Sequence, residues 1–126
     1  MTRFAALVLL LGLTTACSNA VTAPTVPTVD TYTGTVSPAS QTPQTFTAST
    51  SGTVTITATS LNPQTTVGLA VGTVSNSICT ATSEASVQQG GSVTGTVSSS
   101  GTYCALVYDP GTLTIAVAYT ITVAHP

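Results

Sequence analysis

The chain has 126 residues, room for one domain, and its composition is extreme: 42% hydrophobic, 3% charged, formal net charge -2. A soluble domain ordinarily carries about a quarter of its residues as charges, whereas here the full set is Arg3, Asp30, Glu84 and Asp109. With no Lys or Arg beyond Arg3, electrostatic capture of nucleic acid or anionic lipid is excluded, and so is disorder driven by self-repulsion.

Met1-Thr2-Arg3 followed by the apolar run Phe4–Leu13 predicts a secretory signal, because ten apolar residues are too few to span a bilayer. Leu13-Thr14-Thr15-Ala16-Cys17 then resembles the bacterial lipobox. That resemblance implies acylation of Cys17, which becomes the mature N-terminus, and anchoring by several acyl chains. Thr14 stands where the motif usually has Leu, and the other reading is an ordinary cleavage site with an incidental Cys. Ser18, in place of Asp, resembles the pattern sent on to the outer membrane. Residues 17–30, with Pro24 and Pro27 among Thr, Val and Ala, read as an extended tether that includes Asp30. The domain is expected over residues 31–126.

From Thr31 onward β-branched residues dominate and apolar side chains alternate, the period of a strand with one buried face. Tyr32, Gly34 and Val36 share one face of a first strand, closed by Pro38. Phe46 and Ala48 mark a second. Gly52–Thr59 is the clearest, with Val54, Ile56 and Ala58 inward and Thr on the other face. Asn62-Pro63 signals a turn. Val67, Leu69 and Val71 alternate with Gly68, Ala70 and Gly72, small residues that suggest close approach of another backbone. A short strand is expected near Ile78–Ala81 and a loop at Glu84. Gly90-Gly91 turns the chain into Val93, Gly95 and Val97.

The last stretch, Gly101–Val123, carries the densest apolar patterning. Tyr103, Ala105 and Val107 alternate, and so do Leu113, Ile115, Val117, Tyr119, Ile121 and Val123. Asp109-Pro110-Gly111 between them supplies turn chemistry, so a hairpin or a two-strand corner is predicted. About eight strands at roughly ten-residue spacing argue for an antiparallel all-β sandwich or barrel.

Ser51-Gly-Thr-Val-Thr-Ile-Thr, Gly101-Thr-Tyr-Cys-Ala-Leu-Val-Tyr-Asp and the closing Tyr119-Thr-Ile-Thr-Val resemble the bacterial pre-peptidase C-terminal domain, over about Thr31 to Val123. The resemblance implies a jelly-roll-like β-sandwich and a non-catalytic module of exported proteins, and some similar domains bind polysaccharide or collagen. Two departures stand out: no peptidase precedes the domain, and the acidic residues that hold calcium in such modules are missing.

Cys79 and Cys104 are the only cysteines of the domain, and in an exported protein they are expected to form a disulfide. Zinc needs more ligands than this chain groups together, and no motif implies a cofactor. His125, the single His, assembles on paper with Asp109 and one of many Ser residues into a triad, but no nucleophile-elbow motif supports it.

Thr-x-Thr pairs recur at Thr33/Thr35, Thr45/Thr47, Thr53–Thr59, Thr94/Thr96, Thr112/Thr114 and Thr120/Thr122. They resemble the ranks of ice-binding β-solenoids, which however stack at a fixed short period. The spacings here are irregular, and the plainer reading is that Thr tiles the solvent face of a sheet. Cys104, Leu106 and Tyr108 form a second apolar face opposite Tyr103, Ala105 and Val107. Such a strand is either central and covered or offers a docking patch, which makes Leu106 and Tyr108 the candidate ligand-binding residues. The expectation is a non-enzymatic, lipid-anchored envelope protein that is structural or docks an envelope protein, with polysaccharide binding and ice binding as alternatives. An exposed pair of tyrosines flanking a groove would favour sugar.

Overall fold

The structure, a computed structural model, describes residues 25–126. Cys17, the signal segment and most of the expected tether lie outside the described residues. Eight strands follow in order: β1 (Thr28–Val36), β2 (Gln41–Ala48), β3 (Gly52–Asn62), β4 (Val67–Ser75), β5 (Ile78–Val87), β6 (Ser92–Val97), β7 (Gly101–Tyr108) and β8 (Val117–His125).

They form two four-stranded sheets, β1-β8-β3-β6 and β2-β7-β4-β5, with every pairing antiparallel. The pairs β1–β8, β2–β7, β3–β6 and β4–β5 are those of one long hairpin folded at the β4–β5 turn. Wrapping that ribbon adds the β3–β8 and β4–β7 contacts and closes the sandwich. This is the jelly-roll arrangement of an all-β sandwich.

The alternation explains the core. Val54, Ile56 and Ala58 of β3 and Val117, Tyr119, Ile121 and Val123 of β8 are buried, while their sequence neighbours face solvent or are half-buried. Opposite them pack Leu69 and Val71 of β4 and Ala105 and Val107 of β7. Burying such side chains contributes about 1.5–3 kcal/mol each. Side chains staple both open edges. The Tyr32 hydroxyl donates to the Thr45 carbonyl at 2.8 Å, joining β1 to β2. The Ser83 hydroxyl donates to the Thr94 carbonyl at 2.8 Å, joining β5 to β6. Among the described residues the one hairpin between consecutive strands, β4–β5, turns through Asn76 and Ser77 at φ 50° and 62°, the positive pair that a type I′ turn requires.

Of the two arrangements expected for the last two strands, the structure has the corner, because β7 and β8 lie in different sheets. Three other local expectations change. The stripe from Leu113 enters β8 only at Val117, leaving Leu113 buried in the connection and Ile115 58% exposed. Glu84 lies within β5, a ten-residue strand, because β4 supplies a continuous partner from Val67 to Ser75 across one bulge. Finally, β1 begins at Thr28, three residues before the expected domain start, so Asp30 is a strand residue paired with Val123.

Candidate functional site

The described Asp, Glu and His side chains fall at three separate places. At one end of the sandwich His125 is 4% exposed. Its Nε2 lies 2.8 Å from Asp30 Oδ2 and its Nδ1 lies 3.2 Å from the Pro126 carbonyl. The ring packs on Phe46 at a centroid distance of 5.0 Å. Burial, reinforced by the Asp30 charge, raises the Tyr32 hydroxyl above its ordinary pKa. Asp30 thus ties the first strand to the last.

Asp109 sits at the opposite end, where β7 leaves its sheet. Its Oδ1 accepts N–H bonds from Gly111, Thr112 and Leu113 at 2.8, 3.0 and 3.0 Å, and its Oδ2 accepts one from Ala39 at 2.8 Å. Those donors, Ala39 first, hold the carboxyl at about 2. The paper triad therefore does not assemble: His125 and Asp109 stand at opposite ends, and both His125 nitrogens are already engaged. Among the described residues no group of three or more His, Cys, Asp and Glu is placed to hold a metal ion.

The third place is the outer face of the β2-β7-β4-β5 sheet. Here Cys79 of β5 and Cys104 of β7 are joined by a disulfide that passes over β4. Gly72, which pairs with Cys104, leaves the room: a Cβ there would meet the Thr80 carbonyl oxygen and lie 3.1 Å from Cys104 Sγ. At Gly68 a Cβ would run into the Tyr108 ring, so Tyr108 lies down over its partner strand. Leu106, between these two, is 5% exposed. The second apolar face of β7 is thus central and covered by its own sheet. Leu106 is buried, while Tyr108 is half-buried. Burial, followed by the charge of Glu84, raises the Tyr108 hydroxyl above its ordinary pKa.

Among the described residues no aromatic side chain is fully exposed. Phe46 and Tyr119 are buried, at 3% and 2% exposure, and Gln44 donates to the Tyr119 hydroxyl at 3.1 Å. Tyr32, Tyr103 and Tyr108 are half-buried at separate places. Tyr103 lines a cleft of about 470 Å³ between β5 and β6, whose other walls are Thr, Ser, Gly and Val.

The outer face of the β1-β8-β3-β6 sheet is chemically different. One rank across it runs Thr31, Thr122, Thr57, Ser92, and the next runs Val29, Ala124, Thr55, Thr94. Thr33 and Thr120 continue on one side, and Thr53 with Thr96 on the other. Each of these Thr side chains is exposed or half-exposed, and no ionisable or aromatic residue shares the face. The irregular intervals of the sequence become aligned ranks because four strands from distant parts of the chain pair in register, up to the shift at Ala58/Ser60. The sequence showed the pairs; only strand order shows that Thr33/Thr35, Thr53–Thr59, Thr94/Thr96 and Thr120/Thr122 share one sheet while Thr45/Thr47 lies on the other.

Comparison with family models, with curated proteins and with solved structures finds no match for this chain. The likeness to the pre-peptidase C-terminal domain rests on the quoted residues alone.

Proposed function

We propose that this chain is a non-enzymatic lipoprotein of the bacterial cell envelope, a jelly-roll module held at the outer membrane by acylated Cys17 and serving as a structural or docking unit. The observation that carries the reading is the cysteine pairing. The disulfide takes Cys79 and Cys104, which suits an oxidising, exported compartment. It leaves Cys17 as the odd cysteine, in the setting of small residues after an apolar run that lipidation uses.

The fold agrees with such a display. β1 starts at Thr28, eleven positions after Cys17, so the chain between them reaches at most about 40 Å. An anchored domain is then held close to the lipid surface, where envelope partners lie. Metabolic labelling with a fatty-acid probe tests the reading: the wild-type protein is labelled and Cys17→Ala is not. A wild-type protein that stays unlabelled and free in the periplasm overturns it.

A further inference from the structure

We propose that the threonine-ranked outer face of the β1-β8-β3-β6 sheet is a surface that adsorbs to ice, its partner being the ordered water at the crystal face. The inference concerns the folded domain alone and holds whether or not Cys17 is acylated.

The argument starts from spacing. Neighbouring strands lie about 4.8 Å apart and alternate residues of one strand about 6.7 Å apart, so Thr57 and Thr122 with their neighbours form a two-dimensional grid. Each threonine of the grid presents a hydroxyl, with one donor and two acceptor sites, beside a methyl group, and Ser92 adds a further hydroxyl. Threonine is stiff at χ1, so the array is ordered before it meets a partner and loses little entropy on binding. Many weak contacts sum to strong adsorption only when the partner repeats at intervals that engage them together.

Chemistry then narrows the partner. With no ionisable side chain on the face, a charged ligand finds no complement. Without an aromatic ring, a saccharide finds nothing to stack on. Protein interfaces concentrate aromatics, Met and Arg, and none of these is present here. A rigid, neutral surface of alternating hydroxyls and methyls suits a neutral, repeating, hydrogen-bonding one, and ordered water has that character. The opposite sheet offers the internal contrast, since its outer face carries Glu84, Tyr108, Pro43 and the disulfide.

The test uses the purified full chain in two assays, partition into a slowly growing ice front and inhibition of ice recrystallisation. Wild type is expected to enter the ice and to arrest grain growth. Thr122→Lys, at the centre of the face, and Thr31→Lys, on its exposed edge strand, are expected to lose both effects while keeping the wild-type melting transition. Thr47→Lys, on the outer face of the other sheet, is expected to keep both. Where Thr122→Lys fails to fold, Thr31→Lys decides alone. Exclusion of the wild type from ice overturns the proposal, as does full activity of Thr31→Lys or equal loss in Thr47→Lys. Binding to insoluble cellulose or chitin with exclusion from ice overturns it too, and reassigns the face to polysaccharide.

Discussion

Asp109 accepts a hydrogen bond from the backbone N–H of Ala39 at 2.8 Å, across 70 residues of sequence. Ala39 has φ 58° in the β1–β2 turn, a region disfavoured for residues other than Gly, and the carboxylate helps to hold it there. The same side chain caps Gly111, Thr112 and Leu113, while the Asp109 N–H donates to the Ser40 carbonyl at 3.0 Å. One carboxylate therefore organises two loops that carry the chain between the sheets.

The pH dependence follows in sign. The folded carboxyl titrates at about 2, below its ordinary 3.8, so its stabilisation is complete above the unfolded value and is lost as pH falls from about 4 toward about 2. Thermal melts should be nearly flat from pH 5 to 8 and decline in stronger acid. Asp109→Asn should melt several degrees lower at neutral pH, and its curve should meet the wild-type curve near pH 2. A wild-type curve that does not decline between pH 4 and 2 would contradict this role.

The disulfide closes a separation of 25 residues, worth about 3.5 kcal/mol on the chain-entropy account. Replacing Cys79 and Cys104 together by Ala should lower the melting temperature by roughly 15 °C for a domain of this size. The fold itself should persist, read as unchanged far-UV circular dichroism at low temperature. A double variant that melts with the wild type would show that the staple adds nothing.

Tyr108 occupies the space that Gly68 leaves, so Gly68→Ala should destabilise by about 1–3 kcal/mol through overpacking. Combining it with Tyr108→Ala, which removes the obstructing ring, should cost less than the sum of the single changes. Denaturant titrations of the four proteins measure the coupling. Strict additivity would mean that the ring and the added methyl do not meet.

Asp30→Ala leaves the buried His125 Nε2 without its partner and should cost about 1–3 kcal/mol. Because β1 is an edge strand paired only with β8, the loss should be local. Amide exchange should accelerate at Thr31 and Thr33 before it does in β3. Equal acceleration in both strands would argue that Asp30 supports the domain as a whole.

How far the residues foretell this arrangement depends on the range of the interaction. Gly52–Thr59 and Tyr119–Val123 are legible because period-2 alternation is local and their buried faces lie between partner strands. Leu113 and Ile115 keep that alternation yet stay outside β8, because Asp109 takes the N–H groups of Gly111, Thr112 and Leu113. Glu84 looked like a loop residue because β5 is an edge strand with few apolar positions. The Asp30–His125 pair spans 95 residues, and no local pattern announces a partner at that distance. The same holds for the threonine ranks, whose regularity belongs to strand order and not to spacing along the chain.

The central claim is an anchor at Cys17 with an oxidised domain behind it, and mass spectrometry of the protein purified from envelopes tests it most directly. The account predicts an N-terminal peptide that begins at Cys17 and carries acyl chains, together with a Cys79–Cys104 cross-linked peptide. A mature chain that begins at any other residue with Cys17 unmodified, or one cleaved so that Cys17 is gone, would contradict it.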